Sequence, residues 1–349
     1  GRDSARAARV AARRVAPKPS PVYTSAAILA LLAIALAWPI PLWLSAARWP
    51  SRAPGTALAL WQAIALGGGL AMIGALLSFG LAPLDGEAGG IHSLIASLMS
   101  GPIPAEFAIV NIVAIGGAVL LGVHLLLNLI STAVRTERSR RRHRATVELL
   151  SSPLPEQPRT RVLDHPTPIA YCVPGVHTVT VLSGGLIELL EPAELDAVLA
   201  HERTHLRQFH HLVLLAFRAW HAALPWFPIA NRAENAVGQL VEMLADDDAK
   251  KERDPHTLAR AIALVGTSQP SASGELGGAA PRTEHPADAA RTPLGVRVSR
   301  LLRPDAPLPP FARLLALSAA ALIVSIPASV LLGVALGIAP ALAGAPAPV

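Results

Sequence analysis

The chain is poor in charged and aromatic side chains, and it has a single cysteine. Charged residues make up 15% and aromatic residues 4% of its 349 residues. A lone cysteine, Cys172, excludes an internal disulfide and a cysteine-based zinc site. Hydrophobic residues reach 52% and the mean hydropathy is +0.44, which is too apolar for an ordinary soluble protein. The composition therefore predicts a protein of the lipid bilayer.

Long uncharged runs predict transmembrane helices, each of which needs about 20 apolar residues. Four runs qualify: 22–47, 56–84, 107–134 and 314 to the C-terminus. Pro39 and Pro41 are expected to end the first helix early. The predicted fold class is an α-helical integral membrane protein with about four transmembrane helices and an inserted α+β domain.

The predicted organisation has four parts. They are a basic N-terminal tail (1–20), three transmembrane helices (21–134), a polar domain (135–310) and a fourth transmembrane helix (311–340). Within the polar domain, residues 267–296 are rich in glycine, proline, alanine and serine and are interpreted as a flexible linker. Residues 162–173 and 176–182 are predicted to be two strands around a Pro174-Gly175 turn. One of them should offer an edge to which an extended substrate adds by backbone pairing, and the sequence leaves open which one.

The most informative motif is HExxH, at residues 201–205. On a helix, His201 and His205 stand at i and i+4 on one face and can share a metal ion. Glu202 is then positioned to act as general base on a water molecule. Glu191-Pro192 and the apolar residues that follow favour a helix starting there. The alternative is a polar helix face that spells the motif by chance.

A zinc hydrolase site needs a third protein ligand and one open position. Downstream, Glu242 and Asp246 also lie at i and i+4 within a second helical pattern. We take Glu242 as the metal ligand and Asp246 as the carboxylate that orients a ligating histidine. Ligation by Asp246 or Asp247 remains open. His210 and His211 are interpreted as interfacial or substrate-facing side chains rather than ligands.

The distribution of arginine predicts which side of the membrane carries the polar domain. Cationic clusters tend to stay in the cytoplasm. The cations beside the predicted third and fourth spans are Arg135, Arg138, Arg140, Arg141, Arg142, Arg144, Arg297, Arg300, Arg303 and Arg313. We therefore expect a multi-pass protein of the cell membrane with a cytoplasmic zinc domain. The net charge of +6 is assigned to anionic lipid, and no direct nucleic-acid binding is expected.

Several segments together resemble a known family. They are Ala170-Tyr171-Cys172-Val173-Pro174-Gly175, Ser183-Gly184-Gly185-Leu186, the run 199–206 around HExxH, and Val241-Glu242-Met243-Leu244-Ala245-Asp246. They are similar to the bacterial membrane metallopeptidases of the beta-lactam sensor-transducer (BlaR/MecR antirepressor) type, in a short form without the penicillin-binding sensor domain. The resemblance implies a gluzincin-like domain holding Zn²⁺ through His201, His205 and Glu242, with Glu202 as catalytic acid and base.

The predicted function is therefore zinc-dependent endopeptidase activity on a protein substrate. By the resemblance, that substrate would be a penicillinase-repressor-type DNA-binding protein in a signalling pathway. Two alternatives remain open: a protease for quality control of membrane proteins, and a non-catalytic membrane sensor or scaffold with a structural zinc site. A complete HExxH favours catalysis, because a structural site needs no base and is usually closed by a fourth ligand.

Overall fold

The computed structural model describes residues 21–84, 94, 95, 99, 108–154, 157–173, 179–224, 228–268, 292–303 and 306–336. The predicted tail 1–20 and residues 269–291 of the predicted linker lie outside this part of the chain. The helices are α1 Pro21–Ala37, α2 Pro39–Ala46, α3 Pro54–Leu81, α4 Ile109–Leu150, α5 Gly184–Leu189, α6 Pro192–Arg207, α7 His210–Ala223, α8 Pro228–Ala249, α9 Pro255–Ser268, α10 Pro293–Leu302 and α11 Pro310–Leu336. The strands are β1 Ser151–Leu154, β2 Gln157–Leu163, β3 Ala170–Val173 and β4 Val179–Ser183. The described chain is thus mostly helical.

Four helical stretches are long and apolar enough to cross a membrane. They are Val22–Ala46, Pro54–Leu81, Ile109–Leu150 and Pro310–Leu336. The first is interrupted where the prolines predicted a break, since α1 ends at Ala37 and α2 begins at Pro39. The third does not end at Val134 as expected. It continues through the arginine-rich segment to Leu150, where the i, i+4 ion pairs Glu137–Arg141 and Arg144–Glu148 support the helix.

The chain divides into two compact units, and α1, α3, α4 and α11 contribute to both. In the unit formed by residues 1–35, 67–121 and 324–349, the described core contains Leu29, Ala71 and Val330. At Gly80, an added Cβ would lie 2.5 Å from the side chain of Ile115. Glycine at this position therefore lets α3 and α4 approach closely, as small residues do between membrane helices.

The second unit, residues 36–66 and 122–323, contains a four-stranded sheet with the order β1-β2-β4-β3. β1 and β3 are antiparallel to their neighbours, while β2 and β4 run parallel. β3 is therefore an edge strand. β3 and β4 form an antiparallel pair as predicted, while the predicted Pro174-Gly175 turn and residues 176–178 lie outside the described residues. The single strand predicted over 162–173 was wrong, because β2 ends at Leu163 and β3 begins at Ala170. Pro166 and Pro168 in between lack the N–H that a continuous strand would use.

Helix α6 is the central helix of this unit. Glu191 caps it in a capping box with Glu194, and Pro192 occupies its first position, as its sequence predicted. Its residues Val198 and Leu199 belong to a core cluster with Leu182, Leu186 and Ala261. Ala197 and Ala200 belong to a second cluster with Leu258 and Leu301. Its buried side also includes His201 and Thr204. Helix α6 therefore lies between the sheet side of the core and the helices α8, α9 and α10.

Part of the predicted linker is ordered structure. α9 extends to Ser268, and α10 occupies Pro293–Leu302, with Thr292 accepting a hydrogen bond from the backbone N–H of Gly295 as its N-cap. Leu301 is buried, and Leu294 and Val298 pack against the same core. The boundary 267–296 was therefore wrong at both ends, because apolar residues at helical spacing bury α10 against α9.

Candidate metal centre

Two helices bring together the three predicted metal ligands. His201 and His205 are one turn apart on α6, and Glu242 faces them from α8. Within the described residues, this His-His-Glu group is the one cluster suited to hold a metal ion, with one donor atom of each residue within 4.8 Å of the others. His201 is buried, whereas His205 and Glu242 are partly exposed. The cluster is thus accessible from one side.

The distances between the donor atoms suit a tetrahedral zinc site. The Nε2 atoms of His201 and His205 are 3.1 Å apart. Glu242 places Oε2 3.4 Å from Nε2 of His201 and Oε1 3.6 Å from Nε2 of His205. Ligands about 2.1 Å from a tetrahedral zinc ion are roughly 3.4 Å from one another. Two imidazoles and one carboxylate also match the donor set of zinc hydrolases, so the residues present fit the ion.

His201 is backed by a charged pair. Its Nδ1 atom lies 3.0 Å from Oδ1 of Asp246, which is 1% exposed. Asp246 in turn accepts two hydrogen bonds of 2.8 Å from the guanidinium of Arg297 on α10. Arg297 also lies 2.9 Å from Oε2 of Glu242. Arg297 therefore contacts the carboxylates of both Asp246 and Glu242 on the His201 side of the centre.

His205 is backed by neutral groups instead. Its Nδ1 atom lies 3.1 Å from Nδ1 of His210, whose Nε2 lies 3.0 Å from Oε1 of Gln208. If Nε2 of His205 binds the metal, its Nδ1 carries the proton and donates to His210, and His210 donates onward to Gln208. His210 is buried and lines the same cleft as His205, so it is not at an exposed interface, while its interpretation as a substrate-facing side chain stays a prediction. A positive φ of 52° at Phe209 turns the chain sharply between α6 and α7 and brings His210 back to the site.

The two histidines respond differently to protonation. Burial opposes charge on His201, but the carboxylates of Asp246 and Glu242 outweigh it and raise the pKa to about 9. Burial together with the charge of His201 lowers the pKa of His205 to about 4. The pair thus accepts one positive charge readily and resists a second. A site that stabilises one cation between two imidazoles in the absence of metal is electrostatically suited to a metal cation.

Glu202 lies close to the proposed ligands and is partly buried. Burial raises its pKa to about 7, and the nearby negative charge of Glu242 contributes, while His201 and Arg297 oppose the rise. Its charge also acts on the thiol of Cys172 in the edge strand β3. A carboxyl group with a pKa near neutrality can accept and return a proton during a reaction. Glu202 therefore has the properties expected of a general base beside β3.

The other acidic residues of α8 have cationic partners. Asp247 accepts hydrogen bonds from Arg300 and Lys250, and Asp248 from Arg207, Lys251 and the hydroxyl of Thr204. The pKa of Asp246 falls to about 2 because Arg297 and His201 outweigh its burial. Asp246 and Asp247 are therefore engaged elsewhere, and the geometry favours Glu242 as the third ligand.

Arg297 and His210 are the two residues of this site that the sequence pattern did not identify. Arg297 was counted among the arginines beside a membrane span. The Thr292-Pro293 start and the apolar spacing of Leu294, Val298 and Leu301 were available signals for α10. For His210 no comparable signal exists, because its position depends on the turn at Phe209.

Comparison with known proteins bears on the same segment. A family model described as Peptidase family M48 matches residues 134–245, which include β1 to β4, HExxH and Glu242. No curated protein and no solved structure gave a significant match to the chain. The family match supports a metallopeptidase. It does not distinguish the beta-lactam sensor-transducer type suggested by the resemblance.

Proposed function

We propose that this protein is a membrane-associated zinc endopeptidase whose ligands are His201, His205 and Glu242. The observation that carries the proposal is the spacing of the two imidazole nitrogens and the two carboxylate oxygens of Glu242, with contacts of 3.1 to 3.6 Å. Beside them lies the carboxyl group of Glu202, which forms no hydrogen bond with a cation of the described residues. The match of residues 134–245 to a metallopeptidase family supports it. A fourth protein ligand is not part of the described cluster, which leaves a position for substrate or water.

The chemistry follows from the residues around the centre. Bound zinc supplies the Lewis acidity that makes water nucleophilic at neutral pH and polarises a carbonyl group. Glu202 accepts the proton that water loses as its oxygen attacks the scissile carbonyl carbon. The same carboxyl group returns this proton to the leaving amine when the C–N bond breaks, which yields a carboxylate and an amine. Asp246 and His210 hold the two imidazoles in place during these transfers.

The edge strand β3 is the proposed docking site for an extended substrate. The backbone N–H of Ser183 donates to the carbonyl of Ile169, so Ile169 directs its backbone groups toward β4. Alternation along the strand directs those of Tyr171 and Val173 the same way and those of Ala170 and Cys172 outward. Cys172 and Ala170 therefore offer the backbone groups that a substrate strand can pair with. Proline at Cys172 should impair substrate binding, whereas proline at Tyr171 should break the sheet itself.

The proposed substrate is a protein on the cytoplasmic side of the membrane. Sidedness rests on the arginines that flank the spans, and a phosphatase fusion near residue 265 tests it: periplasmic activity would reverse the orientation. A transcriptional repressor and a damaged membrane protein are the two substrate classes to compare. Incubation of the purified protein with each class, followed by mass spectrometry of the products, distinguishes a signalling protease from a quality-control protease.

The test of catalysis separates ligands from base. Glu202→Gln should keep zinc and lose cleavage, because it removes the proton acceptor and leaves the three ligands. His201→Ala and Glu242→Ala should lose zinc as well. Zinc content is measured by metal analysis of the purified full chain, and cleavage by product formation from casein-derived peptides. Wild-type turnover by Glu202→Gln would contradict the proposal and leave a structural zinc site as the better function.

A further inference from the structure

A cleft of about 900 Å³ lies beside the metal centre and is not used by the chemistry described above. Its walls are formed by α4, the edge strand β3, the end of α6 and the first half of α7. His205 and His210 connect it to the metal centre, and Tyr171, Cys172 and Val173 connect it to the edge of the sheet. A substrate strand paired with β3 would therefore pass through this cleft.

The walls of the cleft carry three arginines. They are Arg135 and Arg140 on α4 and Arg218 on α7, and His143 and His211 lie beside them. No aspartate or glutamate is among the described residues that line it. Clefts lined by charge of one sign concentrate ligands of the opposite sign, because their low-dielectric walls focus the field. The lining thus selects for negative charge.

One of these arginines is paired, because Arg218 forms a salt bridge of 3.7 Å with Glu234. The guanidinium of Arg135 donates to the hydroxyl of Ser131, and neither Arg135 nor Arg140 forms a salt bridge with a carboxylate of the described residues. The pKa of His211 is lowered by burial and further by the positive charge of Arg140. The charge of Arg140 therefore acts on a side chain that lines the cleft.

The cations of α4 separate into two groups. Arg135, Ser139, Arg140 and His143 share the face toward the cleft, at spacings of four, five and eight residues. Arg138 and Arg141 are not among the residues that line the cleft, and Arg141 pairs with Glu137 in solvent. His143 also contacts the hydroxyl of Tyr171 at 2.8 Å, which joins the cleft side of α4 to β3. Arg135 and Arg140 therefore line the cleft, whereas Arg138 and Arg141, on the same helix, do not.

We propose that the cleft binds acidic side chains of the substrate, so that the protease prefers protein segments with aspartate or glutamate within a few residues of the scissile bond. This inference rests on the proposed peptidase function and deepens it. Arg135 and Arg140 are the specificity residues. An acidic peptide is favoured over anionic lipid because these two arginines line a cleft shared with His205 and β3, whereas Arg138 and Arg141 do not line it.

The test uses the full chain in zwitterionic nanodiscs and peptides that differ only in charge. Three substrates of one sequence carry glutamate, glutamine or lysine at the same positions near the cleavage site. The glutamate peptide should be cut about ten-fold faster, as kcat/KM, than the glutamine peptide, and the advantage should shrink as salt rises. Arg135→Glu/Arg140→Glu should reverse the order in favour of the lysine peptide. Arg138→Glu/Arg141→Glu makes the same change of charge at two arginines that do not line the cleft. This variant should cut the three peptides in the same order of kcat/KM as the wild type.

Binding to the Glu202→Gln protein, followed by fluorescence anisotropy, keeps this test independent of turnover. Tighter binding of the glutamate peptide supports the proposed role of the cleft even if the wild-type protein cuts none of the three peptides. The absence of cleavage by the wild type would count against the peptidase function alone. Equal binding and equal cleavage of the three peptides would overturn the preference while leaving the peptidase intact. An effect of Arg135→Glu/Arg140→Glu that appears only in nanodiscs with anionic lipid would assign these arginines to the membrane surface and also overturn it.

Discussion

The two sides of the metal centre hold their histidines by different means. On the His201 side, the buried carboxylate of Asp246 is fixed by two hydrogen bonds from Arg297. On the His205 side, the neutral ring of His210 and the amide of Gln208 form a chain that borders the cleft. The first arrangement uses full charges away from solvent, and the second uses dipoles near the opening.

The difference has an energetic reason. A buried carboxylate is tolerated only when a cation and hydrogen bonds compensate for its desolvation, and Arg297 provides both. Near the cleft, a carboxylate would offset the positive charge of Arg135 and Arg140. A neutral imidazole orients His205 without adding charge there. The charged side therefore serves the stability of the centre, and the neutral side leaves the electrostatics of the cleft unchanged.

Among the substitutions that test this difference, removal of Asp246 should have the largest effect on stability and on zinc affinity. Asp246→Ala leaves Arg297 buried beside the centre without its main partner and leaves Nδ1 of His201 without a carboxylate. We expect roughly 3–5 kcal/mol of destabilisation and about a 10–100-fold loss of zinc affinity. Thermal unfolding of the detergent-solubilised protein and competition with a zinc chelator measure the two effects.

Arg297→Met is the matched control for that prediction. It removes the guanidinium but retains the 3.0 Å contact between His201 and Asp246. The protein should again be destabilised, because a buried carboxylate loses its cation, while the loss of zinc affinity should be smaller than in Asp246→Ala. Equal zinc affinity of Asp246→Ala and the wild type would show that Asp246 does not orient His201.

The sequence predicted those parts of the site that depend on spacing within one helix. His201 and His205, and likewise Glu242 and Asp246, lie one turn apart, and a helix with such spacing presents both residues on one face. Arg297 could not be assigned in this way, since its contact with Asp246 depends on how α10 packs against other helices. The split between β2 and β3 was predictable in principle from Pro166 and Pro168. The order of the strands was not, because parallel pairing of β2 with β4 is a long-range contact.

Removal of His210 should have a smaller effect on the neutral side. Burial lowers the pKa of His210, so the ring stays neutral and can accept a hydrogen bond from His205. His210→Ala should weaken zinc binding about ten-fold with little change in unfolding temperature, because no buried charge is left without a partner. His210→Gln supplies another acceptor and should recover part of the affinity. The exposed His256→Ala is the control, and a weaker zinc affinity in that variant as well would remove the special role of His210.

The smallest effect is expected at the turn that brings His210 to the centre. Phe209 is 61% exposed and adopts a φ of 52°, a left-handed conformation that costs a residue with a Cβ atom about 1–2 kcal/mol. Glycine avoids this cost but loses more entropy on folding, at roughly 0.5–1 kcal/mol. Phe209→Gly should therefore stabilise the protein by about 0.5 kcal/mol and leave zinc affinity unchanged.

Phe209→Ala separates backbone strain from the loss of the ring. It removes the aromatic contact with His211 but keeps the Cβ atom that makes a positive φ unfavourable. We expect its unfolding temperature to lie below that of Phe209→Gly and close to that of the wild type. If alanine and glycine gave the same unfolding temperature, the left-handed turn would not limit the stability of this region. The position of His210 would then depend on its contacts with His205 and Gln208 rather than on the backbone at Phe209.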